Sequence, residues 1–185
     1  MRIKLKYLIY ISIITIFLLI IVFLIHQGTK STISNYLKIN ENAPNFTFEF
    51  ANGTTSNLYS FMDGKPTLLW FVVTWCSTCA YGNQVIADNI QFFNQHGIKI
   101  LELEQYDDLG ENGVNISQFI KDYGNPLYTY YGIASYNTTL EYNTPPDLQL
   151  DIYYLIKPDG KIVSIGTNLA NNINSLENEI NNLGL

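Results

Sequence analysis

An α/β fold with a mixed sheet is predicted from three features of the chain. An apolar run over residues 67–73 and a second segment of strand length, residues 98–104, alternate with stretches of helical periodicity. Pro158-Asp159-Gly160 is a turn between two further apolar strands, residues 150–156 and 162–165. Ile173, Leu176, Ile180 and Leu183 form one stripe of a closing helix. Strand, helix, strand, helix, hairpin and helix requires both parallel crossover and antiparallel neighbours.

The chain begins with basic residues at Arg2, Lys4 and Lys6, followed by a run of nineteen residues, 7–25, interrupted only by Ser12 and Thr15. At 1.5 Å per residue, such a helix spans a hydrocarbon core of about 30 Å. The run is apolar on every face, unlike a helix with one core-facing stripe. Basic residues before it place the N-terminus in the cytoplasm and the rest outside, as a single-pass protein of the cell membrane. His26-Gln27-Gly28-Thr29-Lys30 is a poor cleavage site, which favours a retained signal anchor over a removed signal peptide. The organisation expected is an anchor over 1–27, a polar stalk over 28–40 and one domain over 41–185.

Within the domain, Phe46, Phe48 and Phe50 alternate as in a half-buried strand, and Asn52-Gly53 is a hairpin turn signal. Residues 58–62 read as a helical turn. Residues 67–73 lack alternation, as in a strand buried on both faces. Residues 80–95 read as one helix, with Ile86, Ile90 and Phe93 facing the sheet and Gly97 as its stop. Residues 106–113 read as a loop, and Asn115 as the cap of a short helix carrying Phe119, Ile120 and Tyr123. Residues 125–146, rich in Tyr, Asn, Thr and Pro, read as an irregular excursion.

Trp75-Cys76-Ser77-Thr78-Cys79 sits at the junction between the 67–73 strand and the helix and holds the chain's two cysteines. A thiol at a helix N-terminus meets unpaired N–H groups and the positive end of the macrodipole. That lowers its pKa, and the thiolate is the nucleophile. The two-residue spacer lets the second thiol close a small disulfide, so the motif permits thiol–disulfide exchange. Cys76 is the expected attacking thiol and Cys79 the resolving one. A structural disulfide that never exchanges is the alternative. No metal site is expected: zinc would need about two further ligands, and His26 and His96 are badly placed for it.

The order Ala43-Pro44-Asn45-Phe46-Thr47-Phe48, Asn52-Gly53, Gly64-Lys65-Pro66-Thr67 and then Trp-Cys-x-x-Cys resembles the TlpA/ResA-like branch of the thioredoxin superfamily. Residues 154–163 are similar to that family's closing hairpin. The resemblance covers residues 41–183 and implies a thioredoxin-like fold, membrane anchoring, and exchange with extracytoplasmic protein thiols or disulfides. It also implies that an electron-relay partner in the membrane can serve the site, with no dissociable cofactor. Trp75 is a candidate for substrate contact, with a core aromatic as its alternative.

Two departures from the family matter. Its relatives often bury an acid or amide in the strand before the motif, where this chain has Trp70. Glu102 and Glu104, at the end of the second strand, are the nearest substitutes as proton-relay residues, against a default role as solvated carboxylates. The family's cis-proline opposite the motif aligns with Asp151, preceded by Leu150, while Pro145 and Pro146 fall several residues early. By that alignment Leu150 and Asp151 are the candidate substrate-contacting pair. A cis bond before a non-proline residue costs about 2.5–4 kcal/mol, so Leu150–Asp151 is expected to be trans.

Without Arg2, Lys4 and Lys6 the chain carries seven basic and sixteen acidic residues. That balance argues against nucleic acid, whose phosphates need a basic surface. The rival to an oxidoreductase is a non-catalytic thioredoxin-fold assembly factor, for example a copper-delivery protein for a respiratory oxidase. Such relatives use Cys-x-x-x-Cys and a distant His, which this chain does not match. Peroxidase chemistry is a third use of an activated thiolate. Spacer residues Ser77 and Thr78 leave the direction of exchange open.

Overall fold

The computed structural model describes residues 36–127 and 129–185; the apolar run at 7–25 and its basic flank lie outside them. Among the described residues no helix is long and apolar enough to cross a membrane. The elements are β1 (Thr47–Phe50), β2 (Thr55–Asn57), α1 (Leu58–Met62), β3 (Thr67–Val72), α2 (Ser77–Asp88) and α3 (Ile90–Gln95). They continue with β4 (Lys99–Glu104), α4 (Ile116–Tyr123), β5 (Thr129–Ile133), α5 (Tyr136–Tyr142), β6 (Asp151–Ile156), β7 (Ile162–Thr167) and α6 (Leu169–Leu183). The strands form one sheet in the order β2-β1-β5-β4-β3-β6-β7. β3, β4 and β5 run parallel, and β6 lies antiparallel to β3.

β3 is central, and all its residues are buried. Its side chains alternate between two apolar layers, as the pleat requires. Leu68, Trp70 and Val72 pack with Ile86, Phe119, Ile173 and Ile180 of the helices on one face. Leu69 and Phe71 pack with Phe46, Phe48, Phe61 and Tyr142 on the other. The Trp70 indole lies so close to α2 that a Cβ on Gly82 would come within 2.8 Å of the ring. Glycine there is a packing requirement, since it lets α2 approach the sheet.

Caps follow the sequence closely. Asn57 Oδ1 accepts from Ser60 N at 3.0 Å to start α1, and Asn115 Oδ1 accepts from Ser117 N at 2.8 Å to start α4. Leu37 packs against the second apolar layer, and Asn40 N donates to Ile162 O at 2.8 Å. The end of the expected stalk therefore lies against the domain.

Two expectations are corrected. The helix expected over 80–95 is two helices broken at Asn89, whose side chain donates to Val85 O at 2.8 Å and competes with the backbone ladder. The excursion expected over 125–146 contains β5 and α5. In β5 the buried positions are Thr129 and Gly132, while Tyr130 and Ile133 face outward, so the usual hydrophobic alternation is inverted. A Cβ on Gly132 would lie 2.2 Å from Glu49 O of β1.

Candidate active site

Cys76 and Cys79 form a disulfide, with their Cα atoms 5.2 Å apart. Cys76 is the N-cap of α2: its sulfur accepts from Cys79 N at 3.1 Å and lies 3.0 Å from Thr78 Oγ1. On reduction, both groups can donate to a thiolate at Cys76, adding to the helix dipole. Cys79 has the opposite surroundings. It is fully buried, and its sulfur lies 3.4 Å from the Leu150 carbonyl oxygen, an acceptor that favours a protonated thiol. Cys76 retains 4% exposure, more than Cys79 but less than an open nucleophile would have.

Trp75 is 40% exposed beside the disulfide and donates through Nε1 to Asp108 O at 2.8 Å. The Asp108 carboxylate accepts from Thr74 N at 2.7 Å and lies 2.7 Å from Thr74 Oγ1, which also lies 2.7 Å from Val114 O. These contacts hold a tight left-handed turn in which Asp107, Asp108 and Leu109 have φ of 51°, 47° and 60°. Left-handed backbone costs roughly 1–2 kcal/mol per non-glycine residue, so the buried carboxylate must hold the turn in place. The sequence suggested only a loop here.

Among the described residues the sole cis peptide bond is Pro145–Pro146, and Leu150–Asp151 is trans. Leu150, 39% exposed, nevertheless stands against Cys79. It is held there by Gln105, whose Nε2 donates to Gln149 O at 2.9 Å and Leu150 O at 3.3 Å, and by Asn143, which bonds both ways with Gln149. The Asp151 side chain is turned inward. Its carboxylate accepts from Trp70 Nε1 at 3.1 Å and from Leu169 N at 3.2 Å. The second bond caps α6, whose N-cap Asn168 makes no side-chain cap of its own. Burial raises the Asp151 pKa against the lowering effect of those bonds. Any contact between this pair and a client would therefore run through Leu150 or the backbone.

Glu102 departs from the solvated default. It is fully buried beside Trp70 in the sheet, and Asn83 Nδ2 donates to its Oε1 at 2.7 Å. The same Asn83 amide lies 3.4 Å from Cys79 O, so one side chain links the acid to the turn of Cys79. Glu102 Oε2 has no protein partner. Burial raises the Glu102 pKa from 4.5 to about 8. Glu104 is half-buried, and burial, then the neighbouring Asp108, raises its pKa to about 7.

A raised carboxyl pKa means that the folded state holds its proton more tightly than the unfolded chain. The stabilisation from Glu102 is complete below about 4.5 and is lost as pH rises through about 8. Glu102→Gln, which keeps the Asn83 bond, is expected to flatten the fall in urea midpoint between about pH 5 and about pH 9. An unchanged slope would remove Glu102 from this role.

A dithiol at the start of the helix that follows the central strand of a mixed sheet defines a thioredoxin-like redox-site architecture. The model of the AhpC/TSA family matches residues 39–165, and the chain belongs to that family. It is 30% identical over 126 residues to thiol-disulfide oxidoreductase ResA of Bacillus subtilis (strain 168), a match covering 68% of this chain and 65% of that relative. The match thus spans just under two thirds of the relative's length. A structure from Chlorobium tepidum, named as the thiol:disulfide interchange protein DsbE, aligns at TM-score 0.65 and 17% identity, covering 80% of this chain and 99% of the other. One from Bacteroides thetaiotaomicron, named as a protein disulfide isomerase, aligns at TM-score 0.65 and 23% identity, covering 78% and 89%. At these identities the structural likeness establishes the thioredoxin-like fold.

Proposed function

We propose that the protein is a membrane-anchored thiol–disulfide oxidoreductase acting on protein thiols or disulfides outside the cytoplasm. The observation that carries this reading is the asymmetry of the pair. Cys76 has an N–H and a hydroxyl directed at its sulfur, while Cys79 is buried against a carbonyl. In the reducing direction the Cys76 thiolate attacks one sulfur of a client disulfide. An intermolecular disulfide forms, and the other client sulfur leaves as a thiolate. Cys79 loses its proton and attacks the Cys76 sulfur, closing Cys76–Cys79 and expelling the second client thiolate. Two electrons pass to the client, whose thiolates take up protons from Cys79 and solvent. The same steps in reverse oxidise a client dithiol. Glu102, buried and linked through Asn83 to the turn of Cys79, is the candidate to hold or receive the Cys79 proton.

The reduced protein is expected to reduce insulin disulfides catalytically in the presence of a regenerating thiol. Tight Cu(I) binding by the reduced pair with no insulin turnover would favour the copper-delivery reading instead. The sequence of residues 1–25 supports the anchoring. External protease is expected to digest the domain in intact cells; protection there, with digestion in inverted vesicles, would reverse the orientation.

A further inference from the structure

Charge is distributed unevenly along the strand axis of the domain. Val72, Glu104 and Asp151 lie level with one another at the end of the sheet that leads into Cys76, and Thr67, Lys99 and Ile156 at the other end. Lys65 precedes β3, and Lys157 and Lys161 face each other in the β6–β7 turn, all at the Lys99 end. Lys38 is two residues from Asn40, which bonds to Ile162 at the start of β7. Lys121 lies in the last turn of α4, the helix that returns the chain from the end of β4 to the start of β5. Those are all six basic residues among the described ones. The loops around the disulfide carry carboxylates and none of these lysines.

Asp107, Glu111 and Asp147 are exposed on these loops. Asp107 adjoins the residue that holds Thr74 and Trp75, and Gln149 Nε2 ties the Asp147 carbonyl to the loop bearing Leu150. Aromatic faces accompany them. Trp75 is 40% exposed, and Tyr106 and Tyr136, 49% and 57% exposed, pack edge to face at 5.5 Å. Anionic side chains interleaved with open aromatic rings suit Lys and Arg, which can take both an ion pair and a cation–π contact.

We infer that this face selects polypeptide clients whose reactive cysteine is flanked by Lys or Arg. The inference rests on the exchange reaction proposed above, which fixes the occupant as a polypeptide delivering a sulfur to Cys76; the charge pattern adds its chemical class. None of the six lysines stands on the loops around the disulfide, so no basic side chain there repels such a client.

The test uses the full-length chain, reduced, in a neutral detergent, with three disulfide-linked peptides of equal length. They differ only in carrying Lys, Gln or Glu beside the cysteine. Each second-order rate is divided by that peptide's rate with 2-mercaptoethanol, which removes the effect of the flanks on the peptide's own sulfur. The Lys peptide is expected to exceed the Glu peptide by about tenfold or more at low ionic strength, and the ratio to fall several-fold at high salt. The double variant Asp107→Asn, Glu111→Gln is expected to bring the ratio toward one; asparagine tolerates the left-handed backbone of position 107. A ratio near one in the unmodified chain, with the Gln peptide still exchanging, would overturn this inference and leave the exchange reaction standing. No exchange with any peptide would overturn both.

Discussion

Cys79→Ser is expected to accumulate mixed disulfides between Cys76 and client proteins, visible as high-mass species that vanish on reduction. The attacking sulfur keeps the Cys79 backbone N–H and the Thr78 hydroxyl, so it still reacts. What is lost is the second thiolate that would release the client. Cys76→Ser is expected to trap few or none, because Cys79 is fully buried against the Leu150 carbonyl. Both variants should lose insulin turnover to within about tenfold of exchange by a free thiol. Trapping by Cys76→Ser alone would exchange the two roles.

Asp108→Ala is expected to be the most damaging substitution outside the cysteine pair. It leaves the buried Thr74 N–H without its acceptor, removes one of the two partners of Thr74 Oγ1, and frees a strained left-handed turn. An unsatisfied buried donor costs about 1–3 kcal/mol, and with the turn released the expected loss is about 2–4 kcal/mol in urea unfolding. Trp75 should also lose its fixed position, since its indole is bonded to the Asp108 carbonyl. Asp108→Asn separates geometry from charge. Its amide oxygen can accept from Thr74 N, its NH2 can donate to Thr74 Oγ1, and that hydroxyl can donate to Val114 O. It should therefore stay within about 1 kcal/mol of the parent. An alanine variant as stable as the parent would refute the role given to this carboxylate.

Strands β1, β3, β4, β6 and β7 and the dithiol were legible because their signals are local. A fully apolar run before Cys-x-x-Cys reports a central strand and its helix. Asn115 sits where capping requires it. β5 and α5 were not legible, because Gly132 is buried for close backbone approach while Tyr130 faces solvent, which inverts the pattern a strand displays. The polar shell was hidden for another reason. Asn83, Gln105, Asp108 and, through its bond to Gln105 Oε1, Asn143 act across long sequence separations, and nothing local distinguishes them from surface residues. For Asn83 a signal did exist: it lies four residues after Cys79, on the face of α2 that also buries Gly82 and Ile86. A polar side chain on a buried helical face needs a buried partner, and Glu102 is that partner.

Trp70 and Asp151 show how a departure from a family pattern can be absorbed. Trp70 fills the place where relatives often bury an acid, and its indole N–H then needs an acceptor. Asp151, at the position that aligns with the cis-proline, supplies it and caps α6 as well. A second buried acid, Glu102, stands on β4, the other neighbour of β3. The loop before β6 is held against Cys79 by Gln105 and Asn143 across a trans Leu150–Asp151 bond.

The fold is expected to make Cys76 alone the thiol that attacks clients. The most direct test is the rate of alkylation of each cysteine in the reduced protein as a function of pH, resolved by peptide mass. Cys76 is expected to titrate well below the free-thiol value of about 8.5, with Cys79 reacting slowly throughout. Equal alkylation of both cysteines with an ordinary thiol profile would contradict the account and leave a structural disulfide.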